Sequence, residues 1–280
     1  MSKELISIVT VVYNAENLLE RTIQSVINQT YSHIEYIIID GGSTDNTLNI
    51  INKYKQFIKY WISEKDKGIY DAMNKGTIHC NGEWIIYLNA GDVFYNENVL
   101  KNIFNRKYQK NTGCIFGDTY LINEMGDMHL DTVYPFWLQE TPIKHKGICH
   151  QACFIHKEVA YKFPYDITYR ISADFKLLVD IRKNNYAFYY CKIPVCIFER
   201  NGMSTRYYKL ALKEDILISN IPYTFKEAFK LNIKQQKKRI SYTIRKIILF
   251  LYKHHIKYFY RKLENRNMTK QLPIIKEGYV

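Results

Sequence analysis

Three groups of side chains in this 280-residue chain have types and spacings that could do chemistry. Asn89-Ala90-Gly91-Asp92 closes an apolar run with a small, tight turn and then presents a carboxylate. Mg2+ and Mn2+ take such hard oxygen ligands and usually share them with substrate phosphates. The plain alternative is an Asp that caps a helix beginning near Asn96. Asp40 ends a second apolar run ahead of Gly41-Gly42-Ser43-Thr44-Asp45. It could accept hydrogen bonds from a nucleobase or ribose, with the glycines admitting a ligand close to the backbone, or it could merely close a turn. Cys149 and Cys153, with His145 and His150 nearby, hint at zinc, but the spacing lacks a second ligand pair and does not support a zinc site.

These groups need a scaffold, and the hydrophobic pattern supplies one. Leu5 to Tyr13 is apolar and β-branched and reads as a strand buried on both faces, followed by a helical pattern from Asn14 to Ile27. Ile34 to Asp40 is a second buried strand and Thr47 to Tyr54 a helix. Phe57 to Ser63 reads as a short strand, Gly68 to Cys80 as a helix and Glu83 to Asn89 as a further strand. Strand and helix alternating at this spacing imply βαβ units and a mainly parallel sheet, in which ligands bind beyond the carboxyl ends of the strands. Tyr13-Asn14, Asp40 and Asn89 to Asp92 all fall there. The first turn, Tyr13-Asn14-Ala15-Glu16-Asn17, has no GxGxxG, which argues against NAD or FAD. From Asn111 to about Arg200 the pattern is irregular apart from a helix over Ala173 to Asn184. Beyond Thr205 it is helical, basic and rich in Tyr.

Net charge is +13, and residues 206–280 hold all of it, with 18 Lys plus Arg against 5 Asp plus Glu. The first 205 residues carry 22 of each sign. A neutral body with a basic tail suggests two parts with different tasks. In the tail, Ile240, Ile244, Ile247, Ile248 and Leu251 recur at helical spacing between basic residues, the pattern of a helix that lies on an anionic membrane surface. No apolar run approaches the ~20 residues of a membrane span. Six cysteines without a disulfide framework, and a start at Met1-Ser2-Lys3-Glu4 without a signal-peptide pattern, lead to the expectation of a cytoplasmic protein, peripheral on the inner face of the membrane.

The order VTVVYN, IIIDGGSTDNT, DKGIYDAMNKG and YLNAGD, each near a strand end, resembles family 2 glycosyltransferases of the GT-A type. The likeness covers about the first hundred residues. It continues more loosely through Ile148-Cys149-His150-Gln151, Ile171 to Leu178 and Asn201-Gly202-Met203-Ser204. What the resemblance implies is a GT-A α/β catalytic domain over residues 1–205, a mainly parallel central sheet flanked by helices, and a helical extension over 206–280. It also implies inverting transfer of a sugar from a nucleotide-diphospho-sugar, most simply a UDP-sugar, with Mn2+ or Mg2+. The acceptor would be a glycan or lipid-linked saccharide in surface polysaccharide assembly. Carried over by position, Thr10, Val12, Tyr13, Asp40 and Asp71 would line the nucleotide site. Asn89 and Ala90 would contact the donor, and Asp92 would be the direct metal ligand, with His150 on the metal or the diphosphate. Met73 stands where many relatives have Arg, leaving Lys75 as the diphosphate-contacting cation. Asp174 matches the catalytic base, although by itself it could be a simple N-terminal helix charge.

Two rival classes fit less well. A nucleic-acid-binding protein would use the interleaved Lys, Arg and Tyr of the tail, yet carboxylates at the strand ends would repel a polyanion. A nucleotidyltransferase of similar shape would need a glycine-rich, Lys- or Arg-bearing loop, which Thr10 to Asn17 lacks.

Overall fold

Seven consecutive buried residues make Ile6–Val12 the central strand β1. The chain does not enter a helix at Asn14 as the periodicity predicts. Asn14 takes a left-handed backbone (φ 46°), and helix α1 forms only over Leu19–Ile27. Its apolar stripe of Leu19, Ile23 and Val26 is buried. β2 (Ile34–Asp40), α2 (Thr47–Lys53), β3 (Tyr60–Ser63), α3 (Ile69–Thr77) and β4 (Trp84–Tyr87) then follow in the expected alternation. This is a computed structural model, and it describes residues 4–122, 128–131, 148–199 and 203–219. His145, Asn201, Gly202 and the amphipathic stretch from Ile240 to Leu251 lie outside the described residues.

β1 pairs in parallel with β2 and β4, and β2 with β3. Past β4 the sheet changes character. β5 (Val93–Phe94), helix α4 (Val99–Ile103), β6 (Thr112–Ile122), β7 (Met128–Asp131), β8 (Cys153–His156) and β9 (Ala187–Glu199) extend it to the order β3-β2-β1-β4-β8-β6-β9-β5, with β7 on β6. β8 is antiparallel to both β4 and β6, while β9 runs parallel to β6. The all-parallel half is therefore the N-terminal one, and the later strands extend the sheet beyond β4 in mixed directions. β9 kinks where Lys192 takes a positive φ (58°). Its register against β6 shifts near Gly117, where an added Cβ would meet Ile193 O and the Cys191 sulfur.

Helices cover both faces. Val9, Val11, Ile37 and Ile39 form one core layer with α3, with α5 (Lys157–Lys162) and with α6 (Ala173–Lys183). Ile6, Ile8, Ile38 and Ile86 form the other with α1, α2 and α4. Each fully buried side chain of this kind contributes about 1.5–3 kcal/mol. α3 lies flat on the sheet because Gly76 has no side chain: a Cβ there would strike Val9 and Ile39. Two further helices, α7 (Met203–Arg206) and α8 (Tyr208–Ser219), fall within a unit running Met1–Ile221. No described helix is long and apolar enough to cross a membrane.

Candidate active site

The loops after β1 and β2 are laced together. Asn14 N–H donates to Ser43 Oγ (2.8 Å) and Thr44 N–H to Asn14 Oδ1 (2.8 Å). Ala15 N–H donates to Thr47 Oγ1 (3.1 Å), Glu16 N–H to Asp45 Oδ2 (3.1 Å) and Asn46 N–H to Glu16 Oε2 (2.8 Å). Beneath them Asp40 is fully buried. Its carboxylate accepts Gly42 N–H (3.1 Å), Ser43 N–H (2.9 Å), the Ser63 hydroxyl (2.6 Å) and the Ser43 hydroxyl. In this arrangement the Asp40 carboxylate closes the turn after β2. Thr10 is buried too: its hydroxyl donates to Leu88 O (2.7 Å) and pairs with Tyr36 Oη (2.9 Å) inside the fold. Val12, two residues on and on the same face of β1, is a core residue. Tyr13, by contrast, is 62% exposed. The Asp66 carboxylate and the Tyr13 Cβ both lie against Gly41, where an added Cβ would displace the carboxylate.

On α3, Asp71 Oδ2 accepts Lys67 N–H (2.9 Å). Lys75 Nζ is held by Glu64 (2.7 Å), Lys65 O (3.1 Å) and Asp71 (3.7 Å), and the Glu64 hydrogen bond raises its pKa. Met73 is completely buried in the core, so its position presents no group to a diphosphate.

The turn after β4 is fastened from α1. Arg21 Nη2 donates to Gly91 O (2.6 Å) and Thr22 Oγ1 donates to Asp92 O (2.8 Å) while accepting Gly91 N–H (2.9 Å). Gly91 has φ 105°, a conformation that side chains rarely adopt. Asp92 is 8% exposed, and burial pushes its carboxyl up to about 7 against the opposing pull of His150, Gln151 and Arg21. Asn89 Oδ1 is buried with no hydrogen-bond partner.

A short 3-10 turn, His150–Ala152, brings His150 between two of these groups. Its Nδ1 lies 3.2 Å from Asp174 Oδ2, and its Nε2 lies 3.4 Å from Asn89 Nδ2. A neutral ring with its proton on Nδ1 satisfies both contacts. Asp174 sits in the first turn of α6, and its Oδ1 lies 3.1 Å from the Tyr70 hydroxyl, whose single proton is shared with Ile171 O (2.8 Å). Burial and the Asp174 charge keep the Tyr70 phenol protonated far into alkaline pH. Asn89, Asp92, His150 and Asp174, chosen from distant parts of the sequence, thus meet beyond the end of β4. Tyr70, Arg21, Thr22 and Asp66 complete the surroundings and were not singled out by sequence reasoning. Tyr70 and Asp66 lie inside the DKGIYDAMNKG motif, so a signal existed for them. Arg21 and Thr22 look like ordinary helix residues.

Among the described residues, no three His, Cys, Asp or Glu side chains converge as a closed metal site. The donors gathered here are one carboxylate and an orphaned amide oxygen, joined by the His150 Nε2 lone pair once it exchanges the Asn89 amide for an ion. That set is too small for a protein cage and fits a hard divalent ion that completes its shell with diphosphate oxygens.

Comparison with known proteins places this geometry in context. An uncharacterised glycosyltransferase of Mycobacterium tuberculosis is 30% identical over 175 residues, spanning 62% of this chain and 67% of the relative. A PGL/p-HBAD biosynthesis glycosyltransferase of Mycobacterium bovis is 28% identical over 184 residues, 62% and 68% of the two chains. In three dimensions the chain matches Staphylococcus aureus TarS 1-349 in complex with UDP, with a TM-score of 0.59 at 15% identity over 81% of this chain and 68% of TarS 1-349. It also matches the mannosyltransferase PcManGT of Pyrobaculum calidifontis in complex with GDP-Man and Mn2+, with a TM-score of 0.56 at 16% identity over 70% and 57%. These structures share the GT-A fold with this chain. The model of glycosyl transferase family 2 matches residues 7–153, more than half of the protein, and the chain belongs to that family.

Proposed function

We propose that this glycosyltransferase moves a hexosyl or N-acetylhexosaminyl group from a nucleotide-diphospho-sugar to a hydroxyl of a glycan or lipid-linked saccharide, with inversion at the anomeric carbon. The observation that carries the reading is the meeting of Asp174, His150, Asn89 and Asp92 at one strand end. Asp174 accepts the proton of the attacking hydroxyl while the anomeric bond to the diphosphate breaks on the opposite face, and a single displacement of this kind inverts the centre. Tyr70 and His150 hold the two carboxylate oxygens in place. Exposed Tyr13, with Asp66 beside it, offers a ring and a carboxylate to the nucleobase, and Asp71 and Lys75 flank the path of the diphosphate. Ala90 lies between the donor-facing Asn89 and the metal-facing Asp92.

Asn89 Oδ1, Asp92 and His150 would hold a divalent cation. When bound, Mn2+ or Mg2+ offsets the charge that develops on the departing diphosphate. Several comparison proteins support a nucleotide-sugar donor, since TarS was captured with UDP and with UDP-GlcNAc, and PcManGT with GDP-Man and Mn2+. A UDP-sugar and a role in surface polysaccharide assembly are the simplest assignments. The basic segment 206–280 would hold the enzyme, as a peripheral protein, on the anionic cytoplasmic face of a membrane, where lipid-linked acceptors are found. The neutral body offers nothing to a nucleic acid. Incubation with UDP-, GDP- and dTDP-sugars and Mn2+ should release nucleoside diphosphate from at least one donor, EDTA should suppress it, and NMR of the product should show the inverted anomer. A retained anomer, or no release from any donor, would overturn the proposal.

A further inference from the structure

The carboxylate of Glu214, on α8, is 5% exposed and faces three backbone donors. Its Oε1 accepts Arg170 N–H (2.9 Å), and its Oε2 accepts both Ile171 N–H (2.9 Å) and Ser172 N–H (2.9 Å). Ser172 is the residue at which α6 begins, and its own side chain makes no capping bond to that helix; its hydroxyl reaches to Ala211 O of α8 instead (3.4 Å). Asp174 follows two residues later. The Ile171 peptide is therefore gripped from both sides, with its N–H on Glu214 and its C=O on Tyr70, the same Tyr70 that bonds Asp174 Oδ1. Burying a carboxylate costs several kcal/mol unless hydrogen bonds satisfy it, and these three do so at good distances. Its negative charge also lies at the positive end of the eleven-residue α6. A neutral side chain could not reproduce the arrangement. Gln would turn an NH2 group toward backbone N–H groups, and Asp is one methylene too short.

We infer that Glu214 is a positioning residue for Asp174: it fixes the 170–172 backbone that sets the base carboxylate in the cleft, and so links the chain beyond residue 203 to the reaction centre. The inference rests on the proposed role of Asp174. Displacement of a catalytic group by about an ångström can cost up to 10²-fold in rate, so loosening this grip should appear in turnover and leave nucleotide binding alone.

The test compares wild type, Glu214→Gln, Glu214→Ala, Asp174→Asn and the double variant Glu214→Gln/Asp174→Asn. Hydrogen–deuterium exchange should accelerate about tenfold or more at the amides of 170–172 in Glu214→Gln, with β1 and β4 unchanged. UDP titration in Mn2+ should give the wild-type Kd within twofold. With the nucleotide-sugar that wild type consumes, kcat should fall about 10- to 100-fold in Glu214→Gln and further in Glu214→Ala, at constant donor KM. The double variant should be no slower than Asp174→Asn alone, because the effect passes through Asp174. Unchanged exchange at 170–172, wild-type kcat in a folded Glu214→Gln, or a fully additive loss in the double variant would each refute the positioning role while leaving the base intact. A fully active Asp174→Asn, or a wild type that consumes no donor, would instead remove the reading on which it rests.

Discussion

Asp40 and Asp174 are both carboxylates delivered by regular elements to the same end of the sheet, and their surroundings are opposite in kind. Asp40 is enclosed and accepts four hydrogen bonds from Gly42, Ser43 and Ser63, so its charge is spent on holding the loop after β2. The Asp174 side chain, 14% exposed, is held by Tyr70 on one oxygen and His150 on the other, groups that orient it within the cleft. An acidic residue at a strand or helix end is thus enclosed by a turn or held facing a cleft according to how its partners are disposed, and residue type alone does not decide.

Exchanging the two carboxylates for uncharged side chains should expose this contrast, and the largest effect belongs to the reactive one. Asp174→Asn should lower kcat by about 10²–10⁴-fold, with Tm unchanged within a few degrees. Turnover near the wild-type rate would remove Asp174 from the chemistry. Asp40→Ala should do the reverse. Loss of a buried acceptor for four donors should cost about 3 kcal/mol of stability, or roughly 6–12 °C in Tm for a domain of this size. The surviving folded fraction should keep kcat within a few-fold, measured at a temperature well below both transitions. A large rate loss at unchanged Tm would return Asp40 to the donor site.

Asp92 stands between these extremes. Its carboxyl is raised from 3.8 to about 7, chiefly by burial, so the folded protein retains a proton that the unfolded chain gives up near pH 4. Stability in EDTA should then fall as pH rises from about 4 to about 7 and stay low above that, because the native state binds more protons in this window. Asp92→Asn should flatten that fall, seen as a smaller loss of Tm between pH 4 and pH 8 than in wild type. Parallel Tm profiles for wild type and variant would show that Asp92 loses its proton in the folded protein as readily as in the unfolded chain. The smallest effect is expected at Lys75. Its pairs with Glu64 and Asp71 are partly exposed, and such pairs are worth about 0–1 kcal/mol. Lys75→Ala should therefore barely move Tm while raising donor KM several-fold. An unchanged KM would mean that the ammonium stays with Glu64 throughout.

Much of the parallel half could be read from the chain, since runs such as Ile34 to Asp40 must be buried on both faces and short polar turns must end them. The start of α1 could not, because Asn14 adopts a left-handed backbone for reasons that lie thirty residues away, at Thr44. The second half resisted for a related cause. Long, bulged strands such as β6 and β9 carry no regular period, and their pairings are long-range. At the site, Asp92, Asn89, His150 and Asp174 were legible as chemistry-bearing types in motifs. At Thr10 and Asp40 the motif marks the end of a strand without revealing which way each side chain faces or how many internal partners await it. Glu214 was illegible for the opposite reason: it looks like one more charge on a basic, helical segment, and only its approach to three amides distinguishes it.

The lacing between residues 14–16 and 43–47 bears on how such an enzyme could be re-engineered. Five cross-bonds make the loops after β1 and β2 a single part with two attachment points. A graft that replaced one loop with that of a relative would strip hydrogen-bond partners from the other. Grafting both together would carry the exposed Tyr13 and its supporting frame as a transferable cassette.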